Sequence, residues 1–329
     1  MRSVIATIAT ESYLDMAKQL FSSAYFDGAW DGDFLLLKFG KIKNEKLAWF
    51  MQRGIYVWPA EIIDQEAPFA KHILLSKISI FRNDFRQKWD KIILLDSDMI
   101  VRATIRSLRS VQRIGAVQGI AKPLNKHKIY RPTRKDPISL RKKYETLKHM
   151  ADLNAPSVNG GLYVLDTSWI APHTYDSIKA HYQAFSELLV SDERIIGTFF
   201  GRNIELLPLH YNTYVKAYFL HSPANEMGTI LHFFDQKKRP WERNHPFYSV
   251  WKKNLDRAEF LRPGTQAGPF TDDKEIKEKW EKSLRRRFQF FQLIRPIVQS
   301  RIIQSSTLRK SRIAKRFVSF LRTIKPRHT

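Results

Sequence analysis

Lys91-Ile92-Ile93-Leu94-Leu95-Asp96-Ser97-Asp98 is an apolar run that ends on two acids separated by one residue. Consecutive branched aliphatics without polar alternation predict a strand buried on both faces, as in a helix-covered sheet. In open α/β sheets ligands bind beyond the carboxyl ends of the strands, so Asp96 and Asp98 fall at the edge where a site belongs. A strand continued through them would turn both carboxylates to one face. Two convergent hard oxygen donors suit Mg2+ or Mn2+. A tripeptide of this kind is also ordinary turn material after a strand, so the reading needs support from elsewhere.

Working outward, Val4-Ile5-Ala6-Thr7-Ile8 is a β-rich run, and Leu14, Ala17, Leu20 and Ala24 follow at helical spacing. Phe34 to Leu37 and Ile55 to Trp58, closed by Pro59, predict two more strands. Asn44 is expected to cap a helix through Phe50 and Met51, and the periodicity predicts a helix over Ala70 to Phe81. Residues 122–150 are polar, basic and proline-containing, and read as an excursion or lid. Leu162 to Leu165, Ile204 to Leu207 and Thr229 to Phe233 resume the strand pattern, with helical segments near 175–190 and 192–200. This alternation predicts an α/β fold with a mainly parallel sheet flanked by helices.

Composition narrows the functional classes. The 329 residues are 43% hydrophobic and 13% aromatic, enough for a sizeable core and too much for global disorder. Without cysteine there is no disulfide scaffold, thiolate zinc site or cysteine nucleophile. No apolar run approaches the ~20 residues that span a bilayer. Glu11 and Asp15 follow the basic, apolar start too closely for a signal peptide, so that start reads as a first strand.

Three further segments carry candidate chemistry. In Val158-Asn159-Gly160-Gly161-Leu162 the glycines allow backbone to approach a ligand and the Asn159 amide can read hydroxyls. Ser191-Asp192-Glu193 opens a helical pattern, where capping and the helix dipole also favour acids. His232, on an apolar run, is followed by Lys237-Lys238-Arg239-Pro240-Trp241, an unusual sequel for a core strand.

In this order the four segments resemble glycosyltransferase family 8, the retaining family of glycogenin and bacterial lipopolysaccharide galactosyl- and glucosyltransferases. The likeness runs from about Val4 to Trp241. It implies a GT-A fold, a UDP-galactose or UDP-glucose donor and a divalent cation, Mn2+ or Mg2+. Position by position it implies a metal triad of Asp96, Asp98 and His232. Ile8, Ala9, Thr10, Tyr13 and Ser97 fall at nucleotide contacts, Lys77 at a donor phosphate or sugar contact, and Lys238 at the diphosphate. Asn159, Gly160, Gly161 and Asp192 fall at sugar contacts, with Asp192 and Glu193 as the catalytic pair.

Two departures from the family pattern stand out. Glu193 replaces the usual glutamine; a carboxylate there could stabilise an oxocarbenium-like centre during same-face attack, or act as a nucleophile. The segment from His232 to Trp241 is one residue longer than usual, with Asp235-Gln236 in place of glycine, so Lys237, Lys238 and Arg239 compete for the diphosphate.

The chain carries 56 Lys and Arg against 32 Asp and Glu, a net +24, and 13 of the cations with no acid lie in residues 285–329. There Ile313, Phe317, Phe320, Leu321 and Ile324 form an apolar stripe among cations, the pattern of a helix in an anionic membrane interface. The expected organisation is a catalytic domain over 1–250, a connecting segment over 251–284 and a membrane-associating tail over 285–329. The expected location is the cytoplasm, at the inner face of the membrane, with a saccharide or lipid-linked saccharide such as lipopolysaccharide core as acceptor. Charge alone also suits nucleic acid, but there is no recognised nucleic-acid module and the stripe prefers lipid, so no such partner is expected. Two alternatives to the enzyme reading are a catalytically inactive relative that binds nucleotide-sugar or anionic lipid, and a nucleic-acid-binding protein.

Overall fold

The computed structural model describes residues 1–119, 122, 124–215, 227–234, 239–270 and 273–299. Its strands are β1 (Ser3–Ala9), β2 (Asp33–Lys38), β3 (Tyr56–Pro59), β4 (Lys91–Leu95), β5 (Met99–Val101), β6 (Ile114–Gln118), β7 (Val158–Asp166), β8 (Ile204–Leu207), β9 (Thr213–Tyr214) and β10 (Ile230–His232). Seven of them form one sheet in the order β3-β2-β1-β4-β7-β6-β8, and β5, β10 and β9 form a small second sheet. β3, β2, β1 and β4 are mutually parallel, β7 runs antiparallel between β4 and β6, and β8 is parallel to β6. The sheet is therefore mainly parallel, as expected, with one reversed strand.

Buried strands alternate their side chains between two cores. Val4, Ala6, Ile92 and Leu94 join Phe81, Phe85 and Trp89 on one face, while Ile5, Ile93 and Leu95 join Leu20, Phe21 and Phe50 on the other. Helices α1 (Leu14–Phe26) and α2 (Asn44–Gln52) cover the second face through Leu20, Phe21, Leu47 and Phe50. The first face receives α3 (Phe69–Leu75), α4 (Asn83–Lys88), α5 (Asn125–Lys128), α6 (Ile138–Met150), α7 (Thr174–Ala184) and α8 (Asp192–Phe200). There Leu75, Phe85, Leu147, Ile178, Ile195 and Ile196 are fully buried. Helix α9 (Tyr248–Arg257) packs on α1, and α10 (Lys274–Gln299) seats Leu284 in the second core.

Several boundaries differ from expectation. The helix predicted over Ala70 to Phe81 ends at Leu75 and continues as a 3-10 turn, Ser76–Phe81. The Ser76 hydroxyl donates to His72 O at 2.8 Å, the local side-chain bond that competes with a helical ladder. Asn44 is the first helical residue of α2; Lys43 occupies the cap, without a side-chain cap bond. α7 stops at Ala184 rather than near 190. The excursion at 122–150 contains two helices, one of which buries Leu147 in the main core. Among the described residues no helix is long and apolar enough to cross a membrane. The stripe from Ile313 to Ile324 lies outside the described residues.

Two histidines give the fold an acid-sensitive element. His181 meets Thr198 Oγ1 at 2.9 Å and His210 meets Thr229 Oγ1 at 2.8 Å. Burial holds each imidazole neutral, lowering both to about 4 from an ordinary 6.5. Above 6.5 neither state is protonated and both rings contribute fully to stability. As the pH falls from 6.5 toward 4 the unfolded chain takes up protons that the folded protein refuses, so stability falls. The expected loss by about pH 5 is roughly 1 to 2 kcal/mol per ring. Urea midpoints across that window for the wild type and a His181→Gln/His210→Gln variant check it; the variant should show a flatter pH dependence.

Candidate active site

β4 stops at Leu95, and Asp96-Ser97-Asp98 form a turn that delivers the chain into β5. The two carboxylates therefore meet through a reversal of the backbone, not by alternation along a continued strand. β10 pairs antiparallel with β5 in a register that sets His232 opposite Met99, next in sequence to Asp98. Phe233 N then donates to Asp98 O at 3.1 Å and fastens the two segments. The result is one cluster, in which a ligand atom of each of Asp96, Asp98 and His232 lies within 4.8 Å of the others. His232 Nε2 is 3.4 Å from Asp98 Oδ1 and 3.7 Å from Asp96 Oδ2. The imidazole is buried and the carboxylate side chains are about a quarter exposed, at 26% and 21%, so the cluster is open on its acidic side. Burial alone would raise the Asp98 carboxyl; attraction to the imidazole outweighs it and holds the group below its ordinary value.

The reversed direction of β7 builds the next layer. An antiparallel strand begins where its parallel neighbours end, so Val158 to Gly161 lie beside the end of β4, and Asp96 N donates to Gly161 O at 2.9 Å. Asn159 Oδ1 accepts from Gly161 N at 3.0 Å and from Asn212 Nδ2 at 2.7 Å. Asn212 Oδ1 in turn faces His232 Nδ1 at 3.0 Å. With its nitrogen committed to Asn159, Asn212 offers oxygen to the ring, so Nδ1 donates to Asn212 and Nε2 is left facing the carboxylates.

The glycines are needed for close approach. A Cβ on Gly161 would lie 2.5 Å from His232 Cε1 and 2.6 Å from Met99 Cε, and one on Gly160 would lie 2.1 Å from Asp192 Oδ2. Gly161→Ala is expected to push the imidazole out of the cluster and to cost about 1–3 kcal/mol of stability. Mn2+ titration and urea unfolding of that variant read both effects; unchanged metal affinity would refute the first.

Helix α8 brings the acidic pair. Ser191 occupies its N-cap without a side-chain cap bond, and the first turn points its acids at the site. Asp192 is buried, accepts from the Tyr163 hydroxyl at 2.9 Å and lies 4.0 Å from Lys77 Nζ. Burial pushes its carboxyl up to about 6, against the pull of Lys77. Glu193 Oε1 accepts from Asn159 Nδ2 and Gly160 N, each at 2.8 Å, and Oε2 is paired with Lys128. Burial would raise Glu193 too, but the Lys128 ammonium keeps it below the usual carboxylate range. Lys77 is buried, 2.6 Å from Asp96 Oδ1, and donates to Gly160 O at 2.9 Å. It is thus tied to the acids of the site, where the family resemblance implies a donor contact.

Ile8, Ala9 and Thr10 end β1 beside the end of β4, fastened there by Thr7 Oγ1 donating to Leu95 O at 2.8 Å. The Ile8 and Ala9 side chains are in the two cores, so these positions offer backbone to a ligand and Thr10 alone offers a side chain. Tyr13 accepts from Arg239 Nη1 at 2.9 Å, and that guanidinium lies 5.2 Å from the Trp241 ring centroid. Ser97 is buried within the acidic turn. Lys237 and Lys238 lie outside the described residues. Sequence reasoning missed Asn212, Lys128 and the Tyr163 hydroxyl. Tyr163 stands in a quoted strand, but Asn212 and Lys128 belong to no motif.

No protein-family profile matches the chain, and no curated protein matches it by sequence. Solved structures do. The galactosyltransferase LgtC, in complex with donor and acceptor sugar analogs, superposes with a TM-score of 0.55 at 14% identity, over 83% of this chain and 99% of that one. The fold is that of the GT-A glycosyltransferases. A second LgtC structure, of an active-site glutamine-to-glutamate mutant, matches equally. The bifunctional glycosyltransferase WbbM in its apo form gives 0.57 at 17% identity over 77% of this chain, which spans 49% of WbbM. GlyE of Streptococcus pneumoniae gives 0.50 at 14% identity over 86% of this chain and 64% of its own.

Proposed function

We propose that this protein is a retaining, metal-dependent glycosyltransferase that moves a hexose from UDP-galactose or UDP-glucose to a saccharide acceptor, such as a lipid-linked lipopolysaccharide core. The observation that carries this reading is the convergence of Asp96, Asp98 and His232 at the carboxyl edge of a GT-A sheet. The donor set fits a divalent ion of the Mn2+ or Mg2+ kind: two carboxylate oxygens and an imidazole whose Nε2 lies 3.4 and 3.7 Å from them. Two carboxylates crowded on one ring nitrogen need positive charge between them, and a divalent cation supplies it. When bound, that cation neutralises the diphosphate leaving group.

The protein's own groups supply the remainder. Thr10, with the backbone at Ile8 and Ala9, lines the nucleoside end. Arg239, stacked near Trp241 and bonded to Tyr13, is the described cation available to a phosphate. Asn159 and Asp192 offer an amide and a carboxylate to sugar hydroxyls, and Gly160 lets them approach. Glu193, held ionised, places negative charge where positive charge develops on the departing sugar. Retention then follows by attack of the acceptor on the face the leaving group vacates.

The basic segment from Arg285 onward supports association with the inner face of an anionic membrane. Transfer of labelled hexose from UDP-galactose and UDP-glucose, with and without Mn2+, tests the proposal. Expected is turnover that requires the ion and is lost in Asp98→Ala. Equal activity in that variant rejects the metal assignment. Tight UDP binding without turnover across many acceptors would instead favour the inactive, nucleotide-sugar-binding alternative.

A further inference from the structure

Lys128 belongs to α5, a single turn that carries none of the site's motifs. Its ammonium nevertheless pairs with Glu193 Oε2 and donates to Val158 O at 2.5 Å, immediately before Asn159. Three residues earlier on the same turn, Asn125 is buried and donates to Gly197 O in α8 at 2.7 Å. A Cβ on Gly197 would come within 2.5 Å of Asn125 Oδ1, so that contact needs glycine. α5 is thus fixed to α8 at two points, one on the helix body and one on its reactive first turn.

The charges give this docking a purpose. Four carboxylates meet in the site: Asp96, Asp98, Asp192 and Glu193. Lys77 reaches Asp96 and Asp192, and His232 faces Asp96 and Asp98. Glu193 has Lys128 as its ion-pair partner, and its other oxygen is held by the Asn159 amide and Gly160 N–H. The Glu193 side chain keeps 23% exposure and that of Lys128 11%, so the pair is largely withdrawn from water. A carboxylate in that position without a cation takes up a proton more readily.

We propose that Lys128 is a positioning residue for the transfer reaction, holding Glu193 as an oriented anion beside the reacting sugar and making that setting depend on the docking of α5 against α8. The inference rests on the glycosyltransferase reading for the word sugar; the Lys128–Glu193 coupling itself does not.

Four variants test it: Lys128→Met, Lys128→Arg, Glu193→Gln and the double Lys128→Met/Glu193→Gln. Lys128→Met should lower kcat at neutral pH by about a hundredfold with little change in donor KM. Its acid limb should move to higher pH, because the uncompensated carboxyl protonates more readily. Lys128→Arg should keep the wild-type limb. The double variant should lack that limb and match Glu193→Gln in kcat within about twofold, since without the carboxylate Lys128 has no charge to hold. A double variant far slower than Glu193→Gln, or a Lys128→Met limb that does not move, overturns the proposal. Melting temperatures supply a readout independent of turnover: the two single changes should be strongly non-additive, and additivity also overturns it. Wild-type protein that turns over no nucleotide-sugar would defeat the glycosyltransferase reading and leave the thermal cycle to decide the pairing.

Discussion

Replacing Lys77 by methionine should remove about 3–5 kcal/mol of stability from the metal-free protein, the cost of breaking a buried ion pair from one side. The stem of methionine fills the same space, so the loss is electrostatic. Lys77 Nζ lies 2.6 Å from Asp96 Oδ1, donates to Gly160 O at 2.9 Å and sits 4.0 Å from Asp192 Oδ2. Without it a fully buried carboxyl and a partly buried one face each other with no cation between them. Burial lowers the Lys77 ammonium, but the two acids more than reverse that, so it is charged at any pH at which the protein folds. Against a typical total of about 5–15 kcal/mol, such a change moves the urea midpoint far. Added Mn2+ should narrow the gap to wild type, because Asp96 no longer shares an oxygen with the lysine and is freer to bind the ion. At a hundredfold excess over Kd, binding itself adds about 2.7 kcal/mol. Unfolding in chelator and in Mn2+ reads both effects. A loss below about 1 kcal/mol, or a gap that widens with metal, would sink the assignment. Asp192→Asn in the same background should return part of the loss, since it deletes one stranded charge.

The parts of this fold that sequence pattern reveals are those where burial is local and continuous. β1 and β4 are buried at every position, so their apolar runs announce both the strands and the two cores they serve. β6, Ile114-Gly115-Ala116-Val117-Gln118, escaped notice because its residues are small. At Gly115 a Cβ would crowd Val111 at 3.1 Å and Leu207 at 3.2 Å, contacts invisible to a window of sequence. β5 and β9 are too short for any periodicity. The direction of β7 is set by its neighbours β4 and β6, and nothing inside the strand encodes it.

The site divides in the same way. Asp96, Asp98 and His232 are visible because residue type, order and the end of an apolar run agree. Asn212, 20 residues from its partner His232, and Lys128, 65 from Glu193, acquire their roles only when the chain has folded. Lys77 was visible as a position, but its engagement with Asp96 is a tertiary fact. The negative charge of Glu193 likewise comes with its own cation, Lys128, supplied from outside the motif.

Removing the His232 imidazole should be the most damaging change for metal binding, and the ranking of its neighbours should follow the hydrogen-bond chain. His232→Ala deletes one of the three proposed ligands and is expected to weaken Mn2+ binding by more than a hundredfold. Donor turnover should fall about a thousandfold, equivalent to about 4 kcal/mol of transition-state stabilisation. Asn212→Leu leaves all three ligands in place but frees the ring to change tautomer, because Nδ1 loses its 3.0 Å partner. Changes of this kind typically cost about 10- to 100-fold in metal affinity or activity. Asn159→Ala acts one step further out, releasing the Asn212 amide held at 2.7 Å, and also deprives Glu193 of a donor. Its metal affinity should therefore suffer less than that of Asn212→Leu, while its turnover suffers more. Mn2+ titration followed by magnetic resonance measures the first quantity and donor hydrolysis the second. An Asn212→Leu protein with wild-type Mn2+ affinity would show that the ring needs no orienting partner. A His232→Ala protein with wild-type affinity would remove the imidazole from the metal site altogether, leaving Asp96 and Asp98 as a two-carboxylate site whose third ligand comes from the donor.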